Sequence, residues 1–266
     1  MSLNSLGGSL LSIFILSTSL SADSGIFKKS KSEVRLKLID IAGKQRMLSQ
    51  RVAKNYFYIA NGLNTIKAKK QLKRSLVDFE KTQKRLNSAI DNREIRNLIH
   101  FVDMSLDEFK VIIQEKYSLD NGVIVLDLSE SMLEGSDYIV QALSKGYKAN
   151  HIVNISGKLR MLSQRIAKYY MVYQNGIKDD NTIMQMQESV KEFDKILKEL
   201  IAYRGNTAKI SSELKSVAQM WEVVNKFYLN IKRGGLPIIV YLTTDKITDK
   251  MDNIVYLYVN SISEAK

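Results

Sequence analysis

Residues Gly43–Lys54 read GKQRMLSQRVAK, and residues Gly157–Lys168 read GKLRMLSQRIAK. Two positions differ, Gln45 against Leu159 and Val52 against Ile166. The offset of 114 residues also carries Asn61-Gly62 onto Asn175-Gly176, and Ser75 and Phe79 onto Ser189 and Phe193. A string this varied does not recur by low-complexity coincidence, so the chain reads as one unit written twice. The expected copies are 25–146 and 147–266, behind a leader over 1–22.

Each copy carries a helical period. In the second, Ile152, Ile155, Leu159, Leu162, Ile166, Tyr169 and Tyr173 fall at spacings of three and four, a continuous apolar stripe. The first places Leu38, Ile41, Leu48, Val52 and Ile59 on the matching face, with Gln45 as a polar intruder. Asn61-Gly62 and Asn175-Gly176 supply the left-handed stop that ends a helix. Further helices are expected over 64–90, 94–117 and 124–146, then 179–204, 206–231 and 238–263. Breaks are expected at Asp91-Asn92, Asp120-Asn-Gly, Arg204-Gly205 and Arg233-Gly-Gly-Leu-Pro. One proline, Pro237, and 13 glycines in 266 residues agree with long helices. The fold expected is all-α: two tandem antiparallel four-helix bundles. The join SKGYKANH is a weak break, so the last helix of copy one is expected to run into the first of copy two.

Composition narrows the function classes. Without cysteine there are no disulfides and no thiolate metal sites, and two histidines, His100 and His151, argue against a histidine-based metal or catalytic centre. The chain lacks Glu-x-x-His pairs of the ferritin-like kind. The acids of Asp78-Phe-Glu80 and Glu192-Phe-Asp194 belong to ordinary amphipathic faces. No enzyme, cofactor or metal is expected, and Trp221, Met47 and Met161 read as core filling. A net charge of +12 favours anionic partners. Basic and acidic residues are interspersed, so nucleic acid is not the expected partner. Residues 1–22 hold no charged side chain, and the apolar run from Leu10 to Leu20 fits a secretory segment with a cleavage site near residue 22. The basic start usual in such a segment is missing. A periplasmic protein is expected.

The motif helix has a second stripe, rotated from the apolar one: Gly43, Arg46, Gln50 and Ala53, repeated as Gly157, Arg160, Gln164 and Ala167. Small residues at its ends invite another backbone to approach, and a guanidinium and a carboxamide lie between them. A charge at a close helix contact needs neutralising, by an acidic side chain or by a bound anion. Arginine suits an anion because its planar fork donates paired hydrogen bonds to oxygens. Arg51 and Arg165 recur beside it. Ser49 and Ser163 either supplement the site or bond the preceding turn.

The two motif strings resemble the PilJ-type sensory domain of the type IV pilus chemotaxis transducer, related to the P-box helix of nitrate/nitrite sensor kinases. The resemblance implies an extracytoplasmic four-helix bundle. It also implies an anion site where two first helices meet across a dimer axis, at the arginine after Gly-x-x, here Arg46 and Arg160. The P-box glycine corresponds to Gly43 and Gly157, and its later arginine to Arg51 and Arg165. The kinases' lysine two residues before the glycine is Ile41 and Ile155 here, while Lys44 and Lys158 follow it. The expectation is an exported, non-enzymatic module of the chemotaxis type: the sensory part alone, doubled. It would bind a small nitrate-, nitrite- or carboxylate-like anion at Arg46, Arg160, Gly43, Gly157, Gln50, Gln164, Arg51 and Arg165, with an exogenous ion rather than a built-in acid completing each charge. Its partners would be a membrane signalling protein and a second copy of itself. The alternative is an interaction protein whose motif only pairs helices.

Overall fold

The computed structural model describes residues 31–145, 149–229, 231–233 and 235–264. The expected leader over 1–22 lies outside them. Eight α-helices follow in chain order: α1 Lys31–Ala60, α2 Thr65–Ala89, α3 Arg93–Ile112, α4 Leu119–Ser144, α5 Ala149–Gln174, α6 Asp180–Ala202, α7 Ala208–Leu229 and α8 Pro237–Glu264. No strand occurs among the described residues, and the fold is all-α as the periodicity requires.

Local chemistry sets the ends. Gly62 and Gly176 both take positive φ, +75° and +102°, which only glycine adopts without strain. The amides of Leu63 and Ile177 then reach back five residues to Tyr58 and Val172 carbonyls, closing α1 and α5. Asn92 caps α3 through the Ile95 amide, and Asp179 caps α6 through the Thr182 amide. The expected break at Asp120-Asn-Gly is corrected: Ser118 accepts from the Asn121 amide, so those residues form the first turn of α4. α3 accordingly ends at Ile112 rather than 117.

Within copy one, α1 packs on α2 and α4, and α3 on α4; in copy two, α5 packs on α6 and α8, and α7 on α8. The most extensive contact joins α1 to α5. These helices run parallel and in register. At one end Arg46 Nη2 donates to the Asn154 carbonyl and Arg160 Nη2 to the Asp40 carbonyl, each 3.2 Å. At the other, Asn61 Nδ2 reaches the Gln174 carbonyl at 3.5 Å and Asn175 Nδ2 the Phe57 carbonyl at 3.0 Å. Subtracting the repeat offset interchanges the two arginine bonds, and the asparagines Asn61 and Asn175 are likewise related by it, which is the mark of a pseudo-two-fold axis along the helix pair. The expected shared helix is therefore corrected. α4 ends at Ser144, where Lys145 takes φ −53° and ψ 127°, and α5 begins at Ala149 and lies back against α1. The copies stand side by side, not end to end.

The apolar stripe of copy two is buried from Ile152 to Tyr169, while Tyr173 is half-buried. Gln45, the intruder of copy one, is fully buried and bonds the Gln83 side chain, whose amide donates to the Ile99 carbonyl at 2.6 Å. The corresponding residues of copy two, Leu159 and Leu197, are both buried leucines. One copy satisfies the layer with a polar pair, the other with apolar volume. Trp221, 3% exposed, stacks on Phe193 at 3.9 Å and donates to Asp194, and Met47 and Met161 are buried.

Candidate functional site

The two motif arginines meet at the pseudo-axis. Arg46 and Arg160 are 1% and 2% exposed and rank among the largest buried side chains. A Cβ built on Gly43 would lie 3.4 Å from Arg46 Nη2 and 3.5 Å from Arg160 Nη2; on Gly157 the distances are 3.4 and 3.9 Å. Both guanidiniums therefore sit between the two glycines. What approaches each glycine is a guanidinium rather than the backbone expected from the small-residue stripe.

Each arginine is already answered by its own bundle. Arg46 Nη1 donates to Asp137 on α4 at 2.8 Å, and Arg160 Nη1 to Asp252 on α8 at 2.5 Å. Arg160 Nη2 also lies 3.2 Å from Asp40 Oδ1. Burial disfavours the charged forms of Asp137 and Asp252, yet the facing guanidiniums and their hydrogen bonds hold both carboxyls below the usual carboxylate range. The position equivalent to Asp40 is Asn154, so Arg160 has two carboxylates and Arg46 one. The imbalance shows: burial lowers the pKa of Arg46, whereas at Arg160 burial is outweighed by Asp252 and Asp40. The expectation that no built-in acid completes these charges is overturned. Two guanidiniums face three carboxylates, and the buried groups left without a hydrogen-bond partner are donors and acceptors alike, among them Nε of both arginines, Oδ1 of Asp40 and Asn154, and Oε1 of Gln50 and Gln164.

The glutamines and serines tie helices together. Gln50 Nε2 donates to the Ser129 carbonyl on α4 at 2.9 Å, and Gln164 Nε2 to Thr248 Oγ1 on α8 at 2.6 Å. Ser49 and Ser163 donate to the carbonyls of Arg46 and Arg160, each 2.8 Å, which is the local bonding typical of helical serine.

A second charged layer crosses between the copies. Lys54 of α1, fully buried, pairs with Asp245 of α8 at 2.6 Å, and Lys168 of α5, also fully buried, pairs with Glu130 of α4. Each lysine thus bonds the fourth helix of the other copy. Arg165 joins Glu130 side-on, Nη2 at 2.6 Å and Nε at 3.4 Å, and also reaches Gln185 and Ser189. Arg51 differs: its Nε and Nη2 are buried without a hydrogen-bond partner.

Lys54, Lys168, Glu130, Asp245, Asp137 and Asp252 escaped the sequence reading. The lysines close the repeated twelve-residue strings. The acids repeat as Glu130/Asp137 and Asp245/Asp252, each pair seven residues or two helical turns apart. In the fourth helix the offset is 115, so a search fixed at 114 misses them.

A family model described as type IV pili methyl-accepting chemotaxis transducer N-term, PilJ, matches residues 30–97 and 142–234, more than half of the chain. The chain belongs to the PilJ family. No curated protein and no solved structure matches it. The two PilJ segments contain α1 and α5 with their motifs, one from each copy, while Glu130, Asp137, Asp245 and Asp252 fall outside both. The PilJ description is that of a chemotaxis transducer's input side, a sensory rather than an enzymatic family. No helix among the described residues is long and apolar enough to cross a membrane.

The glycines of this PilJ chain make a contrast that can be measured. Gly43→Ala places a methyl at contact distance from two movable guanidinium ends, and alanine gains helix propensity, so its stability should stay within about 1 kcal/mol of wild type. Gly135 drew no attention in the sequence, yet a Cβ there would lie 2.6 Å from Val102 Cγ2 and 3.1 Å from Phe101 Cδ1. Gly135→Ala should cost about 1–3 kcal/mol in urea unfolding, as overpacked cores do.

Proposed function

We propose that this chain is an exported sensory input module carrying both halves of a sensor pair in one polypeptide. In this reading α1 and α5 are the paired motif helices. Binding of a small anion displaces one against the other, and a membrane signalling partner reads the displacement. The observation that carries it is the reciprocal bonding across the pseudo-axis, Arg46 to the Asn154 carbonyl and Arg160 to the Asp40 carbonyl. With α1 seated on α5, the pair needs no second copy of the chain.

The core of the motif, with Arg46, Arg160, Gly43, Gly157, Gln50 and Gln164, acts here as the seam rather than as an open receptor. Asp137 and Asp252 favour this second reading, since they already supply the negative charge. An anion entering at the axis would have to displace them. Of the residues expected to bind ligand, Arg51 is the one with two donors, Nε and Nη2, left unpaired.

The absence of cysteine makes the test direct. Lys81 and Lys195 are exposed and related by the repeat offset, so each can be replaced by cysteine and spin-labelled. The distance between the labels should change by about 1–2 Å, the scale of helix shifts in sensory switches, on saturation with an anion that calorimetry shows to bind, citrate or phosphate. An unchanged distance distribution with that anion bound would refute the sensory reading.

A further inference from the structure

The repeat provides an internal comparison for Arg51. In copy two, the Nε/Nη2 edge of Arg165 is occupied by the Glu130 carboxylate. In copy one, the residue at the Glu130 position is Asp245, one methylene shorter. Its Oδ1 is taken by Lys54 at 2.6 Å and its Oδ2 by Gln71 at 2.9 Å. The same Nε/Nη2 edge of Arg51 is therefore left empty and shielded from solvent. Side-on, these two donors match two oxygens of one oxyanion.

Arg51 also lines a pocket of ≈ 390 Å³ between α1, α2 and α8, whose lining includes Lys67, Lys70 and Arg74. At the corresponding places copy two has Asn181, Met184 and Glu188. Three cations of α2 thus line the pocket of the arginine whose carboxylate is missing, and α6 carries none at the equivalent positions beside the arginine whose carboxylate is present. Asp78 and Asp249 also line the wall, and neither pairs with Arg51. Four cations face three carboxylates, and the third, Asp245, is already engaged by buried Lys54 at 2.6 Å and lies 3.9 Å from Lys67.

We propose that this pocket binds a small, multiply charged oxyanion. One carboxylate or phosphate group would lie side-on against Arg51 in the place that Glu130 fills in copy two, with the remaining charge on Lys67, Lys70 and Arg74. A rim of three cations favours a di- or tricarboxylate or a phosphate over a singly charged ion. The site deepens the sensory reading by giving it a receptor, and rests on that reading only for the signal that follows.

Calorimetric titration of the intact chain with citrate, succinate, inorganic phosphate and nitrate, at fixed ionic strength, tests it. Citrate or phosphate should bind, whichever is tighter naming the group recognised, and nitrate should bind more weakly. Two variants should each weaken that binding by about tenfold or more, the worth of a charged hydrogen bond. Arg51→Gln removes the fork, and Asp245→Glu lets the protein's own carboxylate reach it. The second variant should also raise the melting temperature without ligand, which shows that it folds and fills the edge. No binding by wild type, or equal binding in both variants, overturns the site. Spin-label distances that stay fixed despite binding would instead leave the site standing and remove the sensory reading.

Discussion

Glu130→Gln should cost about 3–5 kcal/mol, as breaking a buried ion pair from one side does. The reason lies in what is left behind. Lys168 is fully buried and Arg165 is 17% exposed, and Glu130 is the carboxylate both of them bond. Against a typical total stability of about 5–15 kcal/mol the loss is large. The pH dependence separates this cause from ordinary packing damage. Burial pushes the Glu130 carboxyl up, but Lys168 and Arg165 outweigh it and hold it at about 2 in the folded chain. A folded-state value depressed from 4.5 gives stability that is present above that value and is lost as pH falls towards about 2. The variant lacks this contribution, so its deficit should narrow in acid. It should narrow in base as well. Burial already lowers Lys168 to about 8 despite Glu130, and without that partner the folded state sheds the proton more readily. Stability of a group depressed in this way rises with pH until the unfolded lysine titrates near 10.5. Melting temperature recorded from pH 3 to pH 10 for both proteins checks the two limbs.

Removing both axial acids should be comparably severe and should change what the chain responds to. In Asp137→Ala/Asp252→Ala, two buried guanidiniums face each other with Asp40 as the remaining carboxylate in ion-pair range. A loss of about 5 kcal/mol or more is expected, since each deletion strands a buried charge. The same deletions create the open anion site that the sequence suggested. Nitrate should therefore stabilise the double variant, by about 2.7 kcal/mol at a hundredfold excess over its dissociation constant, while matched chloride does less. Both proteins carry Arg51→Gln in this experiment, so that the lateral pocket does not contribute. A nitrate response already present with the acids in place, and abolished by Arg46→Ala, would mean that the seam is a receptor after all.

The fold was legible because its signals are local or strictly repeated. Helix stops at Gly62 and Gly176 need positive φ, and the stripe from Ile152 to Tyr169 needs one buried face. The side-by-side arrangement was not legible. α1 and α5 are buried on nearly every side between Ala42 and Tyr58 and between Ser156 and Val172. Their Arg, Gln, Ser and Lys residues disguise that as an exposed polar face. A polar residue at the molecule's centre looks like a surface residue until its partner is found. The acids that answer the arginines lie 91 and 92 residues further along the chain, at a repeat offset shifted by one. The arginines stand out in the sequence as charges at a close helix contact, but nothing local distinguishes a built-in acid from a bound ion, because Asp137 and Asp252 sit on other helices. Arg51 and Arg165 looked equivalent in sequence. One methylene, Glu130 against Asp245, separates a filled fork from an empty one.

The account turns on Asp137 neutralising Arg46 inside the folded chain, and a double-mutant cycle in urea measures that directly. With Arg46→Ala, Asp137→Ala and the double variant, it predicts a coupling of about 2 kcal/mol, the double variant being less damaged than the two single losses added together. Losses that simply add would show that the two side chains do not answer each other, and the closed seam at the pseudo-axis would be wrong.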